Sequence, residues 1–394
     1  MPWPLRMTLL ISAITVICMF YNALRIHWYT KQTGLYQHHI FWGIFSTVVV
    51  VIFAYPLSGW LINESSGGFS REWYPVWMIA LFWFGFIFNT VLLSWILAAD
   101  FINAVLTWVF RIRRPQLQTI LGLAVLAVSF IVFFYTASKT IYDTNRVKIE
   151  TIMFEHPSDY FDENRSLRIA HISEIHADRY TSPEKINRYI QRTGEQNPDI
   201  VFVTGDLISS GLDYVEIATE ALGSINPPLG VHFVMGDHDY WSGQDQIAES
   251  LEEQGVNVLR DENQWIDFGD TTIKITGVTE VYSTSIDRSL LRELLSETNG
   301  EQLSILFSHQ APDDLITIAQ ESGTDVLLKG HTHGGQIRIP LFFRKFTAAS
   351  METDYVIGHW LLDDMLLNVN SGLGFTLAPL RYNAPAEVSV IEIN

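Results

Sequence analysis

The chain has 394 residues, a formal net charge of −18, 48% hydrophobic residues and only 17% charged ones. A charged fraction below the roughly 25% of an ordinary water-facing domain implies that part of the chain faces something other than water, and the length allows about two or three domains. Aromatics at 13% exclude a disordered chain, a single cysteine, Cys18, excludes an internal disulfide framework or a cysteine-based zinc site, and so acidic a protein is a poor nucleic-acid binder by bulk charge.

Composition changes sharply near residue 138. Residues 1–137 hold three acids (Glu64, Glu72, Asp100) and seven bases (Arg6, Arg25, Lys31, Arg71, Arg111, Arg113, Arg114), a net of +4, and the remainder carries −22. Four apolar runs fill the first part, at 7–23, 40–62, 76–99 and 117–137. A helix needs about 20 apolar residues to cross hydrocarbon, and the last three runs reach that length without an internal charge. The first is shorter and ends at Arg25. A cleaved signal peptide is its rival reading, but no small-residue cleavage site follows it. Trp28, Tyr29, Trp60, Trp73 and Tyr74 sit near the run ends, where an interfacial belt would place them.

Residues 1–137 therefore read as a transmembrane region of about four helices, in a multi-pass inner or plasma membrane protein. Basic residues tie at five on each side, counting Arg25, Lys31, Arg111, Arg113 and Arg114 against Arg6, Arg71, Lys139, Arg146 and Lys148. The dense cluster in the short loop after the third run is taken as cytoplasmic, which puts both termini and the rest of the chain on the extracytoplasmic side. Residues 138–165 read as a juxtamembrane connector, and 166–394 as a separate domain.

That domain alternates strands and helices. Strands are expected at 167–175, 199–208, 231–235, 256–259, 265–268, 271–278, 303–308, 325–329, 365–370 and 387–393. Helices are expected at 183–196, with Pro183 in the first turn, and at 214–222, 244–254, 287–297 and 312–321. The alternation argues an α/β domain with both sheet faces covered. Open α/β sheets bind ligands beyond the carboxyl ends of their strands. Polar clusters lie at five such ends: Glu174 and His176; Asp206; Asp237, His238 and Asp239; His309; and His331 with His333.

Imidazole and carboxylate without thiol suit divalent ions such as Mn, Fe, Zn or Ni. Three carboxylates (Glu174, Asp206, Asp237) and four histidines (His176, His309, His331, His333) are too many for one tetrahedral ion. They suit two ions sharing a carboxylate, an arrangement that clamps phosphorus for in-line displacement and acidifies a water. Each member alone is a weak signal, because a lone strand-end histidine is usually structural. The ordered set is what speaks.

The motifs Ser173-Glu174-Ile175-His176, Gly205-Asp206-Leu207, Gly236-Asp237-His238-Asp239, Ser308-His309 and Gly330-His331-Thr332-His333 resemble those of the calcineurin-like metallophosphoesterase family. The string from Gly330 to Ile337 and the tail from Asn370 to Glu387 resemble its membrane-associated bacterial branch. The resemblance implies a four-layer αββα sandwich with a dinuclear centre at the strand ends. It implies that Glu174, His176, Asp206 and His333 hold one metal, that Asp206 bridges, and that Asp237, His309 and His331 complete the second. It also implies a bridging hydroxide as nucleophile, with His238 contacting phosphate and protonating the leaving oxygen, oriented by Asp239.

The expected function is a membrane-bound phosphohydrolase acting on a phosphoester or phosphoanhydride, with a lipid-linked or envelope substrate suggested by the helices. Two departures weigh against full activity: the family usually has Asp where this chain has Glu174, and Asn where it has Asp237. The alternative is a weakened or inactive metal- or phosphate-binding membrane sensor. Outside the motifs, His171 reads as packed inside. Tyr240 and Trp241 could flank substrate or lipid. Arg338 could meet a substrate anion or water, and Asp100 could be an intramembrane polar site or an interfacial helix end.

Overall fold

Four long helices open the chain: α1 (Trp3–Thr30), α2 (His38–Ser66), α3 (Val76–Ala104) and α4 (Pro115–Asn145). The computed structural model describes residues 2–34, 37–66, 70–111, 115–156, 161, 166–269, 271–300, 303–341 and 344–394. Arg113 and Arg114 of the basic cluster, and residues 157–160 and 162–165 of the expected connector, lie outside them. All four helices are long and apolar enough to cross a membrane.

Large apolar side chains such as Ile17, Val50 and Phe101 point outward, as suits helices whose surroundings are hydrocarbon. Hydroxyls of Thr8, Ser12 and Thr15 donate to carbonyls one turn back, which satisfies them within their own helix. Gly122 of α4 meets α1 closely: a Cβ there would lie 2.4 Å from the Tyr29 carbonyl oxygen. Small residues permit that approach. Asp100 of α3 accepts hydrogen bonds from Arg25 Nε (2.8 Å), Tyr21 Oη (2.6 Å) and Tyr29 Oη (2.9 Å) of α1. It is a polar contact between two apolar helices.

The helix α4 runs on to Asn145, well past the end of its apolar run near 137. Hydropathy falls there before helix-forming capacity does. Lys139 and Asp143 form an (i, i+4) pair across the polar last turns. The chain divides into two compact units. One comprises Met1–Thr144, Ile337–Phe346 and Leu377–Asn383; the other comprises Asn145–Gln336, Thr347–Thr376 and Ala384–Asn394.

The second unit carries all the strands but β12 and β13, which lie in the first. In chain order the strands are β1 (Val147–Phe154), β2 (Leu167–Ile172), β3 (Ile200–Val203), β4 (Val231–Phe233), β5 (Asn257–Val258), β6 (Glu262–Phe268), β7 (Thr271–Val278), β8 (Glu280–Val281) and β9 (Thr284–Ser285). There follow β10 (Leu303–Ser308), β11 (Val326–Lys329), β12 (Ile339–Leu341), β13 (Arg344–Phe346), β14 (Gly358–Leu362), β15 (Met365–Val369) and β16 (Ala386–Ile393). One six-stranded sheet has the order β1-β16-β2-β3-β4-β5, the other β14-β15-β11-β10-β7-β6. The edge strand β1 pairs in parallel with β16. It was not anticipated, and neither were the β12–β13 hairpin and β14.

Central strands such as β3 (IVFV) are buried along their whole length, so their apolar runs are continuous rather than alternating. Ile169, Phe202 and Ile391 of the first sheet meet Ile275, Phe307 and Leu328 of the second in one core. Helices α5 (Pro183–Gly194), α6 (Val215–Gly223) and α7 (Asp237–Glu253) cover the outer face of the first sheet, through Ile186, Ala218 and Ile247. Helices α8 (Arg288–Ser296) and α9 (Asp313–Glu321) cover the second through Leu291 and Leu315. The result is the expected αββα sandwich.

Candidate metal centre

The nine residues singled out in the sequence all follow a strand: Glu174 and His176 follow β2, Asp206 follows β3, and Asp237, His238 and Asp239 follow β4. His309 follows β10, and His331 and His333 follow β11. Five of them have left-handed backbone: Glu174 (φ 53°), His176 (46°), Asp206 (55°), His331 (69°) and His333 (51°). That conformation is uncommon outside glycine and costs about 1–3 kcal/mol at each position. Here it turns successive side chains off the strand ends into one crevice. The motif glycines leave room for them. A Cβ on Gly236 would lie 2.2 Å from Asp206 Oδ1, and one on Gly330 1.9 Å from Ser173 Oγ.

The donor atoms form two lobes. In the first, Glu174 Oε2 lies 3.2 Å from His176 Nε2 and 3.1 Å from His333 Nε2, and the two ring nitrogens are 3.1 Å apart. In the second, Asp237 Oδ2 lies 3.2 Å from His309 Nε2 and 3.1 Å from His331 Nδ1, and those nitrogens are 3.2 Å apart. Asp206 Oδ2 stands between the lobes, 3.4 Å from His176 Nε2 and 3.6 Å from His309 Nε2. All seven side chains are largely buried.

Ligands about 2.1 Å from a common cation are separated by roughly 3.0–3.4 Å at octahedral or tetrahedral angles. The spacings within each lobe match that range, so the residues fit two divalent ions. Backbone contacts set the ring orientation. His309 Nδ1 lies 2.8 Å from the Thr204 carbonyl, and donating to it leaves Nε2 for the lobe. Glu174 Oε1 accepts from the His331 amide at 2.6 Å and from Ser173 Oγ at 2.9 Å, which directs Oε2 into the first lobe. The longer side chain at this position is thus accommodated.

Burial alone would raise the carboxyl of Glu174, but the facing His309 and His333 hold it well below its ordinary range. Burial would likewise lower His176, yet its bonds to Asp206 and Glu174 raise it to about 10. These opposed shifts express a surplus of facing carboxylate and imidazole that cations would relieve.

The ring of His238 packs 4.7 Å from that of His176, and Nδ1 bonds the Ser209 carbonyl. The structure corrects one expectation here. Asp239 does not touch His238. As the third residue of α7 it accepts from the amides of Gly236 (3.0 Å), Leu207 (2.9 Å) and Ile208 (3.2 Å), so it ties a helix N-terminus to the Asp206 loop. Burial, followed by the Asp206 charge, pushes its carboxyl up to about 7. The Ser209 carbonyl takes over the task of orienting His238.

Residues 167–335 match the family model of the calcineurin-like phosphoesterases. The chain thus carries a calcineurin-like phosphoesterase domain over those residues. An uncharacterized metallophosphoesterase of Campylobacter jejuni is 26% identical over 373 residues, 92% of either chain. The Bacillus subtilis metallophosphoesterase YkoQ is 28% identical over 70% of this chain and 98% of its own. A transmembrane protein with metallophosphoesterase domain from Danio rerio is 26% identical over 57% of this chain and 52% of its own. The chain is accordingly a phosphoester hydrolase that carries four apolar helices.

Several neighbours of its cluster escaped sequence reading. Tyr282 Oη lies 3.1 Å from His331 Nε2, Glu352 Oε2 lies 3.4 Å from the same atom, and Gln310 Nε2 donates to Asp237 Oδ2 at 2.8 Å. Gln310 directly follows a motif histidine and could have been noticed. Tyr282 and Glu352 come from loops whose sequence carries no signal. Trp241 and Tyr282, both more than half exposed, present nearly parallel rings with centroids 6.5 Å apart.

Proposed function

We propose that this chain is a membrane-bound phosphohydrolase that cleaves a phosphoester or phosphoanhydride at a two-metal centre. The observation that supports it most is the paired lobes sharing Asp206 Oδ2. Glu174, His176, Asp206 and His333 would hold one ion, and Asp206, Asp237, His309 and His331 the other. Two divalent ions of the Mn, Fe, Zn or Ni kind would supply Lewis-acid charge to the phosphoryl oxygens and acidify an attacking water.

The chain's own groups do the rest. His238, its Nδ1–H donated to the Ser209 carbonyl, would contact the phosphoryl group through Nε2, and its doubly protonated form would pass the Nε2 proton to the leaving oxygen. Trp241 and Tyr282 offer an aromatic surface beside His238 and His331 for the organic part of the substrate. We further propose that this part is lipid-linked or belongs to the cell envelope, a reading supported by the apolar helices on the same chain. The basic loop bearing Arg111 favours a cytoplasmic α3–α4 connection and an extracytoplasmic catalytic domain.

The test is metal content and turnover of a generic phosphodiester and monoester with Mn, Fe, Zn, Ni or Mg. Two ions per chain are expected, and His309→Ala or Asp206→Asn loses nearly all turnover. Wild-type-like turnover in either variant rejects the mechanism. Bound metal without any turnover favours a sensor instead.

A further inference from the structure

Arg338 lies five residues beyond His333 and belongs with the helical unit, not the sandwich. Its backbone is fixed: its amide donates to the Tyr382 carbonyl at 2.9 Å, and its carbonyl accepts from Asn383 Nδ2 at 3.0 Å. Its side chain is half-buried, and Nε has no hydrogen-bond partner among the described residues. In the β12–β13 hairpin Lys345 pairs with Pro340. Successive strand residues alternate faces, so Arg338, Pro340 and Lys345 share one face, and two cations sit diagonally on it.

The helix α4 adds a third cation. Asp143 accepts from the Asn383 amide at 2.7 Å, which brings Lys139 near this face. Asp143 is the acid that acts on Lys345, and its ion pair with Lys139 already engages it. Desolvation lowers Arg338; desolvation, together with the like charges of Arg338 and Lys139, lowers Lys345. Arg338, Lys345 and Lys139 repel one another, with Asp143 already paired to Lys139, until an anion joins them.

The surroundings say which anion. Phe84 and Phe88 of α3 pack on Phe133 of α4. The same helix α3 packs against β12, and Lys139 Nζ lies 6.0 Å from the centroid of the Tyr142 ring. Trp73, Trp77, Tyr135 and Tyr142 are each more than half exposed, as at a headgroup boundary. Phe346, next to Lys345, is exposed as well. A cationic face beside such a belt fits a phosphate that carries acyl chains better than a free one.

We propose that Arg338, Lys345 and Lys139 form a binding site for the phosphate headgroup of an anionic phospholipid. The site lies wholly within the helical unit and requires nothing of the hydrolytic reading. The test titrates the purified full-length chain, in neutral detergent with chelator, with dihexanoyl phosphatidylglycerol, dihexanoyl phosphatidylcholine or inorganic phosphate. Saturable binding of the anionic lipid is expected. Arg338→Gln and Lys345→Gln should each weaken it about tenfold, Arg338→Lys should retain most of it, and His309→Ala should bind like wild type. Unchanged affinity in both Gln variants overturns the proposal. So does equal affinity for phosphatidylcholine, and so does inorganic phosphate binding as tightly as the lipid. If Arg338→Gln fails to fold, the exposed Lys345→Gln carries the test alone.

Discussion

Asp100 among the helices and Asp206 at the strand ends are both buried or half-buried carboxylates, yet their surroundings differ in kind. Among the described residues Asp100 faces donors only: Arg25, Tyr21 and Tyr29. One acid meets one base and two hydroxyls, so charge and hydrogen bonds close locally. Asp206 faces two histidines whose neighbours are themselves Glu174 and Asp237, and the chain is bent into left-handed backbone to bring them together. A structural polar contact balances itself. A site that takes up cations is left unbalanced by its own side chains, and the backbone strain is tolerated because the surrounding sandwich over-determines it.

The sharpest way to break this contrast is to remove metal. If the strand-end cluster is built around cations, chelation should lower thermal stability by about 4 kcal/mol for a site held at 1,000 times its dissociation constant. Re-addition of Mn or Zn should restore it. Unchanged melting after exhaustive chelation would mean that the cluster balances itself as Asp100 does.

Next in size is Asp100→Ala, which leaves Arg25 without its carboxylate. Loss of one partner of a buried pair costs about 3 kcal/mol, read as a lower melting temperature of the full chain in detergent. Metal content and turnover per folded molecule should not change. A fall in metal binding would show that the two clusters are not independent.

The smallest effect concerns His171, a third kind of buried polar group. It bonds Asn368 across the two sheets at 2.6 Å and Thr204 at 2.9 Å. Burial pushes it down to about 4. The unfolded chain therefore takes up a proton near pH 6.5, while the fold resists until about pH 4. Stability from the neutral ring is complete above pH 6.5 and is lost progressively as pH falls from there through the folded value, the loss reaching about 2 kcal/mol by pH 5. Melting temperature against pH should be flatter in His171→Gln between those limits. An unchanged slope would assign the acid sensitivity to other groups.

Much of the fold was legible because its signals are local. The αββα core strands are unbroken apolar runs, and the four long helices need only length and hydropathy to be found. Elements without an apolar signature were missed. The strand β1 is half-exposed at a sheet edge, the β12–β13 hairpin is short, and the last turns of α4 are polar. The nine motif residues stand out in the sequence because each follows a strand, while the contacts of Asp239 were not legible there. Sequence adjacency to His238 suggested a contact, and helix geometry turned the carboxylate toward three backbone amides instead.

Residue type and order alone determined which groups this protein has for chemistry, and that they gather at the carboxyl ends of parallel strands. Periodicity and strand polarity are written residue by residue. Only the tertiary structure decided that Asp206 Oδ2 lies between two lobes, that Ser209 rather than Asp239 steadies His238, and that Arg338 sides with the helices. Each of these depends on distances between segments far apart in the chain, set by packing that no local pattern encodes.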